Sequence, residues 1–212
     1  MKVEIFPVGE IGTNCCLIAS ESGSAAILDP GSQGDKIMRK VEENGWNPKM
    51  ILLTHGHFDH IGAVQELKER YSIPVYVHSA DVEMLDSPEK NGGMALLGWS
   101  IVCPWDKTVE DGAKIQMDEL VFTVIHTPGH TKGSVCYQVE DWIFSGDTLF
   151  CGGMGRTDLY GGSYPELSAS LKKLANLDGD FQVCPGHGPG TTLEQERREN
   201  PYLGKISYDD LF

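Results

Sequence analysis

Between residues 50 and 60 the chain reads M-I-L-L-T-H-G-H-F-D-H, an apolar run of strand length followed by three histidines and an aspartate within six residues. Beyond it, Ile61, Val64, Leu67 and Tyr71 return at helical spacing, so the polar cluster lies where a buried strand ends and a helix begins. Imidazole and carboxylate suit zinc. A turn lets His55 and His57 point one way and Asp59 and His60 another, so one short segment can serve two ions. Gly56 permits the bend between them. The chain has seven histidines, and three falling in this one segment argues against solvated turn residues.

The flanking sequence predicts strands and helices in two rounds. KVEIFPV, CCLIAS and AAILDPG read as short strands separated by turn formers, and Asp35 to Glu43 reads as a helix stopped by Asn44-Gly45. MILLT and IPVYVH are buried strands, and Ser79 is expected to cap a short helix. Residues 87 to 112 read as irregular. Trp99 and Trp105 fall there and have two readings: cover for a bound substrate, or ordinary core packing. AKIQM, LVFTVIH, SVCYQVE and DWIFSGD follow as strands, Ser163 to Glu166 has capping-box form ahead of a leucine-spaced helix, and FQVCP is the last strand. Two packed sheets with helices outside are implied.

Three more ligand types end strand-like runs in glycine-flanked turns: His130 in TPGHTKGS, Asp147 in IFSGDTLF and His187 in CPGHGPG. Such turns commonly present functional side chains. His126 is expected to be a hydrogen-bonded strand-end residue and, like His78, is not among the ligand candidates.

Length and composition narrow the classes. At 212 residues the chain fits one compact domain, 1–212. The N-terminus lacks the long apolar run of a signal peptide and no stretch could span a bilayer, so a soluble cytoplasmic protein is expected. Six cysteines form no C-x-x-C pair and read as mostly buried thiols, Cys184 among them. A formal charge of −14 disfavours nucleic acid and anionic membrane as partners. A pair of divalent ions would cancel four of those charges.

T-H-G-H-F-D-H-I-G, P-G-H-T, S-G-D-T-L-F and P-G-H-G, in this order, resemble the metallo-β-lactamase superfamily, and within it the short glyoxalase II-like hydrolases. The likeness runs from Asp29 in LDPG to Asn200-Pro201. It implies an α/β fold, a four-layer αββα sandwich of two mixed β-sheets, with the site at one edge. It further implies two divalent ions, zinc first with iron or manganese as alternatives. His55, His57 and His130 would hold one, Asp59, His60 and His187 the other, and Asp147 both, which makes Asp59 and Asp147 the candidate catalytic carboxylates. Asp29 is a candidate acceptor for the outer N–H of a ligand imidazole, or a turn cap.

Two adjacent divalent ions make a shared water acidic enough to attack a carbonyl as hydroxide, and a thiolate leaving group suits zinc. Hydrolysis of a small-molecule thioester is therefore chemically natural, and the glyoxalase II resemblance implies an acylglutathione of the S-lactoyl type, with lactones or other esters as alternatives. In glyoxalase II a basic residue after the bridging aspartate helps hold glutathione; Arg156, in C-G-G-M-G-R-T-D, lies near that position and either binds a substrate carboxylate or pairs with Asp158. That family also carries a C-terminal helical extension, whereas 25 residues follow His187 here, so the carrier thiol stays open. No ligand position is left for Cys151, which argues against β-lactam hydrolysis. A mononuclear iron persulfide dioxygenase is the competing reading, because such enzymes share a G-R-T-D segment; their pattern departs at the last histidine, and Pro185-Gly186-His187-Gly188 favours hydrolysis. The oligomeric state is not legible.

Overall fold

A computed structural model describes residues 1–203. The first half builds β1 (Lys2–Val8), β2 (Thr13–Ala19), β3 (Ser24–Leu28), α1 (Gly34–Asn44), β4 (Asn47–Leu52), α2 (Phe58–Ile61), α3 (Val64–Tyr71), β5 (Val75–His78), α4 (Val82–Leu85), α5 (Gly93–Leu97) and β6 (Lys107–Val109). The second builds β7 (Lys114–Met117), β8 (Leu120–His126), β9 (Val135–Val139), β10 (Trp142–Gly146), a ribbon of β11 (Leu149–Phe150) and β12 (Gly153–Met154), α6 (Tyr164–Ala175), β13 (Gln182–Pro185), β14 (Thr191–Thr192) and α7 (Leu193–Glu199). One sheet has the order β1-β2-β3-β4-β5-β6 and the other β14-β13-β10-β9-β8-β7. Both are mixed: β3 to β6 run parallel beside an antiparallel β1-β2-β3 meander, and β10 pairs parallel with β13 but antiparallel with β9.

Strand alternation sorts the side chains into layers. On β2, Cys15 and Leu17 face outward with Ile27 and Ile51, where Ile37 and Val41 of α1 and Val64 and Leu67 of α3 cover them. Cys16 and Ile18 face the other way and meet Phe122, Tyr137 and Phe144 of the second sheet. On that sheet's far side, Ile125, Cys136 and Ile143 pack under Leu167, Leu171 and Leu174 of α6. The result is the four-layer αββα sandwich. Five of the six cysteines are buried and all six are free.

Several local expectations shift. The helix after the histidine cluster is broken into α2 and α3, so Asp59 and His60 sit on a single helical turn. Gly62 and Ala63 make the break: a Cβ on Gly62 would lie 2.4 Å from the Gly31 carbonyl, and Ala63 N–H donates to Pro30 O at 2.9 Å, which pulls the chain off the helical path. His78, not Ser79, caps the turn that follows β5, its Nδ1 accepting from Ala80 N–H at 3.2 Å. The segment 87–112 contains α5 and the edge strand β6 rather than being irregular throughout. Ser163 does cap α6, accepting from Glu166 N–H. No helix among the described residues is long and apolar enough to cross a membrane.

Candidate metal centre

The polar cluster lies at one edge of the sandwich, where strands of both sheets end. His55 and His57 follow β4, His130 lies between β8 and β9, Asp147 directly follows β10 and His187 follows β13. Asn14 of β2 locks the two sheets there: its backbone N–H donates to Gly186 O at 2.7 Å and its side chain to Pro185 O and Gly188 O at 2.9 Å each. Gly186 must be glycine, because a Cβ would stand 2.1 Å from Asp147 Oδ1 and 2.9 Å from the His60 ring.

All seven predicted ligand residues converge. The donor atoms of His55, His57 and His130 lie within 4.8 Å of one another, and so do those of Asp59, His60 and His187. Asp147 stands between the triads, with Oδ2 3.5 Å from His130 Nε2 and 3.6 Å from His187 Nε2, and Oδ1 3.5 Å from His60 Nε2. His187 Nε2 and His60 Nε2 lie 3.2 and 3.6 Å from Asp59 Oδ2, and His57 Nδ1 lies 2.9 Å from His130 Nε2.

The hydrogen bonds behind the cluster fix which nitrogen faces inward. Asp29, fully buried, accepts from Thr54 N–H at 2.8 Å, from the Thr54 hydroxyl at 2.6 Å and from His60 Nδ1–H at 2.9 Å. The Thr54 proton goes to Asp29, so Thr54 Oγ1 accepts from His55 Nδ1–H at 3.0 Å. His130 Nδ1–H donates to Arg156 O at 2.7 Å. In each case the outer nitrogen carries a proton and Nε2 is the atom turned to the centre, the orientation of metal-ligating histidines. Asp29 thus orients two imidazoles, one directly and one through Thr54, and it also shapes a turn, with φ of 48°.

The donor set fits divalent ions. His55 Nε2, His60 Nε2 and Asp147 Oδ1 are buried without a hydrogen-bond partner, which is costly unless a cation answers them. Atoms bound to one zinc at about 2.0–2.1 Å in a tetrahedron lie about 3.3–3.4 Å apart. The spacings around Asp147 and Asp59, 3.2 to 3.6 Å, bracket that value.

Electrostatics points the same way. Burial and the neighbouring His60 hold His55 well below its usual range, and burial with His130 does the same to His57. Burial also works against a charge on His60, but Asp59, Asp29 and Asp147 outweigh it and push its pKa up to about 10. Burial raises the pKa of Asp59 and the imidazoles of His60 and His187 more than reverse that, so it is held below the usual carboxylate range. In the metal-free protein a raised histidine stabilises the fold fully below its ordinary value of about 6.5, and that contribution is lost as pH rises through about 10. A metal on Nε2 would take the proton's place. Denaturant stability of the chelated protein should therefore fall from pH 6.5 to 10, and metal-loaded protein should lack that His60 component. Chelated protein with flat or rising stability across this range would contradict the assignment.

Arg156 grips Asp158 with two bonds, Nε to Oδ1 at 2.6 Å and Nη2 to Oδ2 at 2.7 Å, while lining the same hollow as His57, Asp147 and His187. Trp99 and Trp105 are not core residues; they are 53% and 38% exposed, and Trp99 lines a hollow beside Asp59. His126 ends β8, donates Nε2–H to Lys132 O at 2.9 Å and stacks on His78 at 4.0 Å, away from the cluster. Cys184 is buried against Cys16, their sulfurs 3.4 Å apart. Sequence reasoning missed Thr54, Thr13, whose hydroxyl donates to Asp59 Oδ2 at 3.0 Å, and Asp81. Buried Asp81 accepts from Gly56 N–H at 3.0 Å, Thr131 Oγ1–H at 2.7 Å and Gly133 N–H at 2.7 Å, tying the His55 loop to the His130 loop. Only its place after a strand, in H-S-A-D, could have flagged it.

Comparison with known proteins agrees with this architecture. The chain is 40% identical over 211 residues to the probable metallo-hydrolase YqgX of Bacillus subtilis, covering 98% of this chain and 100% of that protein. It is 36% identical over 212 residues to hydroxyacylglutathione hydrolase GloC of Haemophilus influenzae, with 98% and 100% coverage. Among solved structures, BLEG-1 B3 metallo-beta-lactamase superposes with a TM-score of 0.92 at 39% identity over 95% of this chain and 99% of that one. TTHA1623 in a di-iron-bound form gives 0.82 at 37% identity, over 94% and 100%. The metallo-beta-lactamase superfamily model matches residues 8–187, a span that takes in every residue of the cluster. The chain belongs to the metallo-beta-lactamase superfamily.

Proposed function

We propose that the chain is a dinuclear metal-dependent hydrolase acting on small-molecule thioesters of the acylglutathione class. The observation that carries this reading is the complete donor set: two three-residue groups with the Asp147 carboxylate between them and buried Nε2 and Oδ1 atoms left without partners. His55, His57 and His130 would hold one ion, Asp59, His60 and His187 the other, and Asp147 both. The chemistry such a pair supplies when bound is Lewis-acid polarisation of a carbonyl and acidification of water near neutral pH. Zinc suits the imidazole and carboxylate donors and a departing thiolate; the di-iron form of TTHA1623 makes iron the alternative.

The chain's own groups set the stage for that chemistry. Asp29 and Thr54 hold the His60 and His55 rings so that no rotation is needed when substrate arrives. Thr13 donates to Asp59 Oδ2 and so fixes which carboxylate edge faces His187. Phe58, Phe150, Met154 and Leu159 form apolar walls around the polar centre, which lowers its exposure to water and strengthens its electrostatics. The likeness to hydroxyacylglutathione hydrolase GloC supports a thioester substrate. The likeness to BLEG-1 gives β-lactams a claim as a second substrate class.

The test pairs metal analysis of the purified protein with a panel of S-lactoylglutathione, a neutral thioester, a lactone and a β-lactam. About two metal ions per chain are expected, with kcat/KM for thioesters at least about tenfold above the other classes, a margin of about 1.4 kcal/mol in the transition state. A β-lactam or lactone preference of that size would overturn the thioester reading.

A further inference from the structure

Two hollows adjoin at the metal centre. One, of about 380 Å³, contains His57, His130, Asp147 and His187. The other, of about 490 Å³, lies on the far side of Phe58, and the two share Ile11, Phe58 and Asp59. The size of the second is that of a small-molecule site. Its apolar lining is Val8 at the end of β1, Ile11 of the β1–β2 turn, Phe58, and Trp99 with Ile101 from the segment after α5, and Thr13, Ser32 and Gln33 add uncharged polar groups. The charged side chains among its lining residues are Glu10 and Asp59, both acidic. Among the described residues, the one Lys or Arg lining either hollow is Arg156, which belongs to the first and is already gripped by Asp158.

The apolar wall is anchored. Buried Asn91 accepts from Phe58 N–H through its backbone carbonyl at 3.1 Å, accepts from Gly93 N–H through Oδ1 at 3.0 Å and donates Nδ2–H to Ile101 O at 2.9 Å. The Asn91 side chain thus clamps both ends of the segment 93–101, and its backbone carbonyl fastens it to the helical turn that carries Asp59. Leu96 and Trp99 stand out of this clamped segment, 52% and 53% exposed, facing Ile11, 50% exposed, across the hollows. Large apolar side chains held in water beside a polar centre gain by covering apolar substrate.

We propose that the second hollow is an acyl-chain site, taking the uncharged alkyl part of a thioester whose carbonyl lies at the metal centre. The proposal rests on the thioester reading above and narrows it. A chamber with a largely apolar wall and no basic side chain among its described lining residues offers a carboxylate no partner and favours each added methylene, so the preferred substrates carry medium-length straight acyl chains rather than a short hydroxyacyl group.

The test uses acetyl, butyryl, hexanoyl and octanoyl thioesters of N-acetylcysteamine, a neutral carrier, with metal-loaded enzyme. In the wild type, kcat/KM should climb about fourfold per methylene, the equivalent of about 0.8 kcal/mol, until the hollow is filled. Trp99→Ala should at least halve the slope of that climb on a logarithmic scale, and Trp99→Phe should keep most of it. A wild-type series that is flat or falls with chain length overturns the acyl site and leaves the thioester reading standing. If no thioester is hydrolysed, the thioester reading fails and binding decides the acyl site. Saturable binding of the non-hydrolysable S-octyl-N-acetylcysteamine to wild type, followed by calorimetry and weakened at least tenfold in Trp99→Ala, supports the site. Absence of such binding, or equal binding by both proteins, overturns it.

Discussion

His187→Ala should lower bound metal from about two ions to about one per chain and cut kcat for thioester hydrolysis at least about a hundredfold, or about 2.7 kcal/mol. The imidazole contributes to one triad only, facing Asp59 Oδ2 at 3.2 Å and Asp147 Oδ2 at 3.6 Å. His55, His57 and His130 remain to hold the other ion, but one ion must then both acidify water and polarise the carbonyl, so the loss should appear in kcat rather than KM. The fold should tolerate the change. The His187 ring is partly exposed, and the backbone bridge from Thr13 to His187 and the Asn14 bonds to Pro185 and Gly188 do not use it. Thermal stability in the absence of metal should move by no more than about 1 kcal/mol, roughly 2–4 °C in a chain of this size. A wild-type protein holding a single iron and consuming oxygen with a persulfide substrate, an activity left intact by His187→Ala, would replace the hydrolase reading with an oxygenase one.

The parts of this architecture that were legible in sequence are those whose signal is local. The apolar runs of strand length in CCLIA and MIL, the Asn44-Gly45 stop and the Ser163 capping box each act within a few residues, and each appears in place. The candidate ligand residues were legible because glycine-flanked turns after strands are short-range patterns too. The Thr192 cap of α7 belongs to the same class: its hydroxyl accepts from Gln195 N–H at 3.2 Å, a signal available in T-L-E-Q but passed over. What was not legible depends on distant partners. The break between α2 and α3 is imposed by Pro30 and Gly31, some thirty positions upstream of the residues they displace. Trp99 looks apolar enough for the core, and only the Asn91 clamp, which holds its segment away from the sandwich, explains why it stands in solvent. Asp81 joins loops that are 25 and more residues away, so no window around it could announce its role.

Asp81→Ala should be among the most damaging single substitutions away from the candidate ligand residues themselves. The carboxylate is fully buried, touches none of the ligand imidazoles by hydrogen bond, and accepts from Gly56 on one side and from Thr131 and Gly133 on the other. Those three residues flank His55, His57 and His130. Removing the carboxylate leaves two backbone N–H groups in a place water does not readily reach, at about 1–3 kcal/mol each, so a stability loss of about 2–5 kcal/mol is expected. The fit is equally close from the other side: a Cβ on Gly133 would lie 2.7 Å from the Asp81 carboxyl carbon. Metal affinity should fall about 10- to 100-fold, as is typical when a group that orients ligands is lost. Asp81→Asn separates packing from charge. Its size is conserved, but an amide has one oxygen, and its NH2 must confront either the Gly56 or the Gly133 N–H, whereas the Thr131 hydroxyl can turn to accept. Asn should therefore fall between wild type and Ala both in unfolding free energy and in metal affinity measured by competition with a chelator. If Asp81→Asn instead matched wild type in metal affinity while losing as much stability as Ala, the residue would hold the fold together without positioning the ligand loops.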